Sequence, residues 1–585
     1  MSDTEVLVLW TCAATETYGE RGTNGALMNP EFVAPGKGPW ELETTHFSRP
    51  VSRFAGETYA DGFVKGFSSG TARYGLLLDH LKPAISHDFI YMQPAPFMAP
   101  EGAMKPPPAP VLWLLTRLHP KMRARIAQSD RAFAEKQWRK DLETWDTVDK
   151  PAAIEKHLAL QMIDVTALSD DALVDHLAEC RDHAIAMVGQ HHKYTATAIV
   201  PIGDFLAHTV AWTGAHPGEV CRLLQGSSPI SNGFAAEELG KVGEALAANP
   251  QAAERLRSGP PAEAIATLSE DPDVGSAVRA YVEAVQHRSV GYDVGDVNAG
   301  EMPELLAGAM LAAAAGPTAS TLDDAAVAAL RAKVPAEHQA QFDELLAEAR
   351  FTNRIRDERG VFSDGWATGI ARRAVLEVGR RLAERGLLRT PEHAPDLTYD
   401  ELVSLLRDGT GPSADEAAAH HEWRTTKTVA DAPPFLNAMP PEPPPVDLLP
   451  AKARRAANAT NIMLMTLFAT SEEANSETVL HGLSVNDGTY EGTARLVTGS
   501  AEFGKIQQGD VLVTRNTSPY FNVVLPLLGA IVTDRGGQLS HAAIVAREYG
   551  IPGVVGTRDA TTTIPDGARV RVDGATGEVH LLGTS

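Results

Sequence analysis

One histidine, His541, lies where a strand is expected to give way to a helix. The run 529–533 is short, apolar and β-branched, as in buried strands, and residues 542–549 have helical spacing. Gly536 and Gly537 between them permit close backbone approach, and the free N–H groups of a first helical turn attract anions. The pattern therefore predicts a histidine that carries a phosphoryl group.

Two hydroxyl side chains near His541 are expected to help position the ring. Thr533 and Ser540 can hydrogen-bond either the second ring nitrogen or a phosphate oxygen. The alternative interpretation is a helix-capping serine followed by a buried histidine. The glycine pair, the hydroxyls and the following helix all converge on one ring, which favours the phosphoryl interpretation.

Residues 533–556 resemble the mobile phosphohistidine domain of the phosphoenolpyruvate-utilising enzymes. The resemblance extends to residues 490–497, 509–513 and 572–579, so that it covers about a hundred C-terminal residues. It implies that His541 accepts a phosphoryl group from ATP, as a phosphohistidine intermediate, and passes it to a second substrate.

Composition limits the classes of partner. The chain has 585 residues and a formal charge of 52 minus 75, or −23, which argues against a nucleic-acid partner. Its three cysteines, Cys12, Cys180 and Cys221, form no disulfide framework. No signal peptide is recognisable, and no apolar run reaches the ~18 residues that a membrane helix needs. We expect a cytoplasmic protein with no membrane partner.

The predicted fold class is multidomain α/β. Residues 1–430 are expected to form a mainly α-helical acceptor-substrate domain, irregular over 1–110 and helical over 110–430. Residues 431–479 are proline-rich and then helical, and predict a linker or hinge, because dense proline neither continues a helix nor pairs in a sheet. Residues 480–585 alternate strands and short helices, which predicts a swivelling α/β phosphohistidine domain.

The upstream region shows a patchier resemblance. Residues 40–50, with the sequence WELETTHFSRP, and segments 372–382 and 397–402 resemble the substrate domain of rifampicin-phosphotransferase-like proteins. The layout resembles the large subunit of phenylphosphate synthase and related aryl phosphotransferases. It implies a separate ATP-grasp subunit that holds ATP with Mg²⁺ or Mn²⁺, a small phenolic or alcohol acceptor, and the products aryl phosphate, AMP and Pi. We recognise no ATP-grasp segment upstream and no pyruvate barrel downstream, so we expect a partner subunit.

An acceptor hydroxyl needs a base and a phosphate needs cations. The candidate bases are His46, His191 and His192; the alternative for each is a surface or helix-capping histidine. Candidate contacts to phosphate or to the docked domain are Arg354, Arg356 and Asp357, which otherwise form a solvated ion-pair face. No metal is expected on this chain, since His420-His421-Glu422 lacks the second histidine of a zinc-protease helix.

Two other functions remain open from the sequence. One is a component of an antibiotic phosphotransferase of the rifampicin type, which would use the same carrier histidine with another acceptor. The other is a non-catalytic phosphocarrier or regulatory protein that stores phosphate on His541 and acts through docking.

Overall fold

The computed structural model describes residues 32–103, 105–228, 235–315, 324–518, 521–522 and 524–584. Residues 1–31, the start of the predicted irregular region, lie outside the described residues, and so does Cys12. The described part consists of a helical domain with a small sheet, followed by a C-terminal α/β domain. The predicted fold class is confirmed.

Helices dominate the chain from residue 53 to residue 468. Their bounds are α1 Arg53–Arg73, α2 Ala109–Leu118, α3 Pro120–Ala134, α4 Gln137–Thr144, α5 Lys150–Gln161, α6 Asp170–Lys193, α7 Thr195–Thr213, α8 Pro217–Arg222, α9 Ala236–Ala248, α10 Pro250–Ser258, α11 Pro261–Ser269, α12 Gly275–Val285, α13 Pro303–Ala314, α14 Asp324–Lys333, α15 Gln339–Asn353, α16 Ile355–Val361, α17 Asp364–Glu384, α18 Tyr399–Asp408, α19 Ala414–Thr426 and α20 Ala451–Phe468.

The prediction of an irregular stretch over 1–110 is wrong for its described part, which contains α1 and a β-hairpin. The glycines of α1, which suggested irregularity, let it pack against α6. A Cβ on Gly62 would lie 2.3 Å from the carbonyl oxygen of Ile185, and one on Gly66 would lie 2.0 Å from that of Gly189. The glycines therefore mark a close helix crossing rather than a loop.

The small sheet ties the proline-rich segment to the start of the described chain. Its strands, in the order β2-β3-β1-β4, are β1 Trp40–Leu42, β2 Leu78–Ser86, β3 Phe89–Pro96 and β4 Phe435–Leu436. Trp40 pairs with Leu436 in antiparallel register. Part of the expected linker is thus a sheet strand of the helical domain.

Helix α20 also belongs to the helical domain, although the sequence suggested that it lay in the hinge. It packs along α7 so closely that a Cβ on Gly203 would lie 2.0 Å from the carbonyl oxygen of Ala459. Ala456, Ala459 and Met463 are buried in this contact. Only residues 469–478 then remain as a connection between the two domains.

The C-terminal domain, residues 479–584, is built on an eight-stranded sheet. Three pairs of neighbouring strands are parallel: Thr489–Leu496 with Asp510–Thr514, Asp510–Thr514 with Leu528–Thr533, and Leu528–Thr533 with Gly553–Val555. The predicted strands near 494, 511, 530, 553 and 569 are confirmed. The elements are β5 Val479–His481, β6 Leu483–Asn486, β7 Thr489–Leu496, β8 Asp510–Thr514, β9 Leu528–Thr533, α21 His541–Glu548, β10 Gly553–Val555, α22 Ala560–Thr563, β11 Ala568–Asp573 and β12 Glu578–Thr584, and the strand order is β5-β12-β11-β7-β8-β9-β10-β6.

The C-terminal sheet brings two loops to one edge and packs against the helical domain. Thr514 at the end of β8 pairs with Thr533 at the end of β9, so the loops that follow both strands leave the same edge. On the face that carries α21, buried Leu512 and Ile531 join an apolar cluster that continues into Leu305 and Leu306 of α13. The C-terminal domain is therefore docked on the helical domain through a shared apolar core.

Candidate active site

His541 is the first residue of α21, at the edge where β8 and β9 end. Ser540 is the N-cap of this helix, and its hydroxyl accepts a hydrogen bond from Ala543 N at 3.3 Å. Gly536 has φ +100°, and a Cβ on it would lie 2.7 Å from Ser540 Cβ. The turn thus needs glycine at position 536 in order to place the capping serine and the histidine.

Gly537 serves the contact between domains. Its N–H donates to the carbonyl of Leu467 at 2.7 Å, and a Cβ on it would lie 2.1 Å from the carbonyl oxygen of Thr466. In this structure Gly537 therefore lies against the end of α20, whereas the sequence suggested that it approaches a phosphate.

Both ring nitrogens of His541 have side-chain partners. Nδ1 lies 3.0 Å from Thr517 Oγ1, and Nε2 lies 3.0 Å from Asn522 Oδ1. Both partners come from the loop that follows β8. Neither Thr517 nor Asn522 was predicted to contact the ring. The pattern that indicates them is that β8 and β9 are neighbouring parallel strands, whose carboxyl ends share an edge of the sheet.

The ring nitrogens bond Thr517 and Asn522 rather than Thr533 or Ser540, so the first expected role of these two hydroxyls is wrong for this arrangement; the alternative, a hydrogen bond to a phosphate oxygen, stays a prediction. Thr533 is fully buried, and its hydroxyl donates to the carbonyl of Arg535 at 2.8 Å. The carbonyl of Thr533 accepts from the Thr557 hydroxyl at 3.1 Å. Thr533 therefore closes the end of β9, and Ser540 caps α21.

Electrostatics keep the His541 ring neutral at physiological pH. Burial lowers its pKa to about 4; the nearby charge of Asp357 raises the pKa and that of Arg356 lowers it. A neutral imidazole has one unprotonated nitrogen, which is the form that attacks phosphorus. The ring is therefore in its nucleophilic state near pH 7.

Arg356 and Asp357, on α16 of the helical domain, face the histidine turn. Arg356 Nη2 donates to the carbonyl of Leu539 at 2.6 Å, and its Nη1 is buried with no hydrogen-bond partner among the described residues. Asp357 is buried beside it. Arg354 points elsewhere, to Asp146 at 2.6 Å and Glu358 at 2.9 Å, as the ion-pair alternative expected.

Near Arg356 lies a cluster of aromatic and charged side chains of the helical domain, which we call the candidate acceptor cleft: His46, Tyr59, His191, Tyr292 and Asp364. The charges of Arg359 and Asp364 act on the pKa values of both His46 and Tyr292, so these groups form one electrostatic cluster. Aromatic edges line it: the rings of His46 and Tyr292 are 5.1 Å apart at 85°. The His46 side chain is 40% exposed within these surroundings, so the cleft is open to solvent.

The three candidate bases differ in charge state. His46 Nδ1 lies 3.0 Å from Glu43, and this carboxylate raises the histidine pKa against the opposing effect of burial. Burial lowers the pKa of His191 and of His192. His192 packs on Phe63 with ring centroids 4.1 Å apart. His191 and His192 are thus the neutral rings, and His46 is the one that holds a proton more strongly.

His191 is coupled to a buried acid. Its Nδ1 lies 2.8 Å from Asp364 Oδ1, and burial raises the Asp364 pKa to about 7 although Arg359 opposes the shift. Arg359 in turn donates to the His191 carbonyl at 3.2 Å. The His191–Asp364 pair can therefore take up a proton near neutral pH.

The C-terminal domain closes one side of the cleft. Asn516 Nδ2 donates to the carbonyl of Thr45, and Arg535 Nη1 donates to the Thr44 hydroxyl at 3.4 Å. Both partners directly precede His46. The docked arrangement therefore places the turn that precedes His541 against the segment that carries His46.

A second set of contacts holds the docked domain near α8. The amide of Gly226 donates to Glu548 at 2.9 Å, Gln225 Nε2 donates to the Arg547 carbonyl at 3.0 Å, and Arg222 pairs with Asp487 at 2.7 Å. Glu548 is buried at this contact. Burial raises its pKa to about 7.

Docking should consequently weaken as pH rises. The raised pKa means that the docked state holds the Glu548 proton more tightly than a solvated carboxyl near 4.5, so the contribution is complete below about pH 4.5 and is lost as pH rises through about 7. The full shift corresponds to about 3 kcal/mol. The radius of gyration from solution scattering should increase between pH 5.5 and 8.

Glu548→Gln should remove most of this pH dependence, because the amide still accepts from Gly226 but does not ionise. Glu491→Gln, at an exposed carboxyl of β7 in the same domain, is the matched control and should behave like the parent. Identical pH profiles for parent and Glu548→Gln would show that this carboxyl does not govern docking.

The described residues were compared with the requirements of a metal site and of a membrane-spanning helix. Among the described residues, no group of three or more histidine, cysteine, aspartate and glutamate side chains is arranged to hold a metal ion. Within the same ranges, every helix is too short or too polar to cross a bilayer.

Comparison with known proteins gives partial matches. Residues 506–577 match the family described as PEP-utilising enzyme, mobile domain. An uncharacterised phosphotransferase of Bacillus subtilis, YvkC, is 31% identical over 252 residues, or 42% of this chain and 28% of that relative. Rifampicin phosphotransferase of a Streptomyces species is 32% identical over 213 residues, 36% of this chain and 22% of the relative. A probable phosphoenolpyruvate synthase of Archaeoglobus fulgidus is 44% identical over 110 residues, 19% of this chain and 15% of the relative.

The chain spans less than a third of the length of each of these relatives. The matched segment contains the end of β8, the His541 turn and α21, which are the elements that build the site. Residues 506–577 therefore match the mobile domain of PEP-utilising enzymes, and parts of the chain are similar to a phosphotransferase and to a probable phosphoenolpyruvate synthase.

Proposed function

We propose that this chain is a phosphotransferase that carries a phosphoryl group on His541 and delivers it to a hydroxyl acceptor bound in the cleft. The observation that carries the proposal is the docked geometry. A half-buried, neutral histidine at the start of α21 lies near Arg356, whose Nη2 bonds the Leu539 carbonyl at 2.6 Å while its Nη1 has no partner among the described residues. A buried guanidinium N–H with no acceptor, close to a nucleophile, suits a transferring phosphoryl group.

The acceptor half-reaction follows from the charge states in the cleft. The acceptor oxygen attacks phosphorus, the bond from phosphorus to the His541 nitrogen breaks, and its electron pair returns to the ring. The hydroxyl proton passes to His191, which burial keeps neutral and which Asp364 orients at 2.8 Å. Arg356 stabilises the charge on the phosphoryl oxygens. His46, already favouring its protonated form beside Glu43, is less suited to act as the base.

We propose a phenolic acceptor because aromatic rings form the cleft walls. Tyr59, Tyr292 and Phe47 meet edge to face or tilted at 5.4 to 6.0 Å, and His191 stacks on His192 at 4.6 Å. Such walls bind a planar ring while leaving its hydroxyl at the polar end near Asp364.

The donor half-reaction rests on the family resemblance. ATP with Mg²⁺ or Mn²⁺ would be held on a separate ATP-grasp subunit, where the metal screens the phosphate charge; no step at the acceptor cleft is assigned to it. The C-terminal domain would alternate between the two stations about residues 469–478, and the products would be aryl phosphate, AMP and Pi.

The test combines this chain, a candidate ATP-grasp subunit encoded in the same genome, and ATP labelled in separate experiments at the β or the γ phosphate. Phenols and ansamycin-sized alcohols are offered as acceptors. We expect β-label on a phenol and γ-label in Pi. Label that stays on His541 with every acceptor would favour a phosphocarrier, and label found only on the large alcohols would favour an antibiotic phosphotransferase of the kind that the Streptomyces relative is named for.

A further inference from the structure

Asn522 carries an unsatisfied donor beside the reactive ring. The residue is 5% exposed, and its Oδ1 lies 3.0 Å from His541 Nε2. Its Nδ2 is shielded from solvent and has no hydrogen-bond partner among the described residues. A buried N–H without an acceptor is unfavourable, so a site that leaves one in place beside a nucleophile points to an acceptor that arrives with a ligand.

The neutral imidazole can be held in two ways between Thr517 and Asn522. In the first, Nε2–H donates to Asn522 Oδ1 and the Thr517 hydroxyl donates to Nδ1. In the second, Nδ1–H donates to Thr517 Oγ1 and the Asn522 amide, rotated by half a turn, presents Nδ2–H towards Nε2. Only the second leaves Nε2 unprotonated, with its lone pair facing Nδ2–H.

We propose that Thr517 and Asn522 are positioning residues that direct the phosphoryl group to His541 Nε2. Thr517 holds the Nδ1 proton, and the Asn522 amide turns so that Nδ2–H donates to a phosphoryl oxygen. The inference rests on the proposed function only in that His541 is the phosphorylated residue; it requires neither the ATP-grasp subunit nor a particular acceptor.

The chemical step balances within these groups. The Nε2 lone pair forms the bond to phosphorus, and the bond from phosphorus to the donor's leaving atom breaks with its electron pair. The Nδ1 proton remains on the ring, shared with Thr517 Oγ1. The Asn522 Nδ2–H, which faced the Nε2 lone pair before the reaction, then donates to a phosphoryl oxygen.

The experiment uses phosphoramidate, a small reagent whose leaving group is ammonia, on the whole chain without ATP, donor subunit or acceptor. Phosphorus NMR identifies the modified nitrogen and follows the loss of phosphohistidine. The parent should give the Nε2 isomer. Thr517→Val should give a mixture of Nδ1 and Nε2 isomers, and Thr517→Ser, which keeps the hydroxyl, should restore the Nε2 isomer.

Asn522→Asp separates the two roles that the amide could have. The carboxylate keeps an acceptor for Nε2–H but has no N–H to donate, so the proposal predicts about tenfold faster loss of phosphohistidine than in the parent. A purely structural acceptor would be preserved by aspartate, and the decay would then match the parent. Asn522→Ala should decay as fast as Asn522→Asp if the lost N–H is the cause.

Nitrogen NMR of unphosphorylated His541 in each variant reports its tautomer and shows that the turn has folded. An Nδ1 isomer in the parent, or a phosphohistidine in Asn522→Asp as long-lived as the parent's, would overturn the proposal. Because phosphoramidate replaces the biological donor, a failure of acceptor transfer leaves this result unaffected, and the two proposals can fail separately.

Discussion

Replacement of His541 by alanine should abolish phosphoryl transfer and leave the fold intact. Among the described residues the ring forms hydrogen bonds with Thr517 and Asn522, and the helix that follows is capped by Ser540 rather than by the histidine. Alanine has no lone pair with which to attack phosphorus, so the loss should be complete rather than partial. Phosphohistidine formation and aryl phosphate release are both measured.

His580→Ala is the matched control, since His580 lies in β12 of the same domain and its Nε2 is 3.0 Å from Glu578. It should retain parental rates. Circular dichroism and thermal unfolding of both variants should match the parent. Turnover by His541→Ala near the parent rate would remove the phosphohistidine from the mechanism.

Replacement of Arg356 by alanine should slow transfer to the acceptor by about 10²- to 10³-fold, the usual cost of losing one preorganised donor from a transition state. Phosphorylation of His541 by phosphoramidate should change less, because the reagent can react with the undocked domain, whereas acceptor transfer requires the docked state in which Arg356 bonds the Leu539 carbonyl. The two half-reactions are measured separately in single-turnover experiments.

Arg354→Ala is the control for this change. Arg354 precedes α16 by one residue and carries the same charge, yet its guanidinium pairs with Asp146 and Glu358. It should keep parental transfer rates. An equal loss in both variants would mean that the effect arises from disturbance of α16 and not from contact with the phosphoryl group.

The C-terminal domain is the part of the fold most readable from sequence. Five of its eight strands are the short runs that the sequence predicted between Gly-Asp and Asp-Gly turns, whereas β5, β6 and β12 were not predicted. His541 stands out for the same reason: the glycines, the N-cap serine and the amphipathic helix are all within ten residues. Local chemistry predicts local structure well.

The partners of the ring could not be read in this way. Thr517 and Asn522 lie 24 and 19 residues before His541, and only the parallel pairing of β8 and β9 brings them to it. Thr533 was a reasonable choice by distance along the chain, but β9 is buried along nearly all of its length and the Thr533 hydroxyl donates to the Arg535 carbonyl. Helix α1 was not predicted because its glycines have low helix propensity. These glycines allow close packing against α6, a contact that only the folded structure shows.

The acceptor side depends on contacts still longer in sequence. Arg354, Arg356 and Asp357 look equivalent as a charged run, and only the docked C-terminal domain separates Arg356 from Arg354. The pairing of His191 with Asp364 joins α6 to the start of α17, 173 residues away. The sequence predicted which residue types an acceptor site needs. The packing of the helices decides which residues of each type come together.

The most direct test of the central claim is a single-turnover chase. The chain is phosphorylated at His541 with phosphoramidate, freed of reagent and mixed with phenols, and phosphorus NMR follows both the phosphohistidine and the product. We expect one equivalent of aryl phosphate for each phosphohistidine lost, at a rate that depends on the phenol. Decay to inorganic phosphate at the same rate with and without every acceptor would contradict the account.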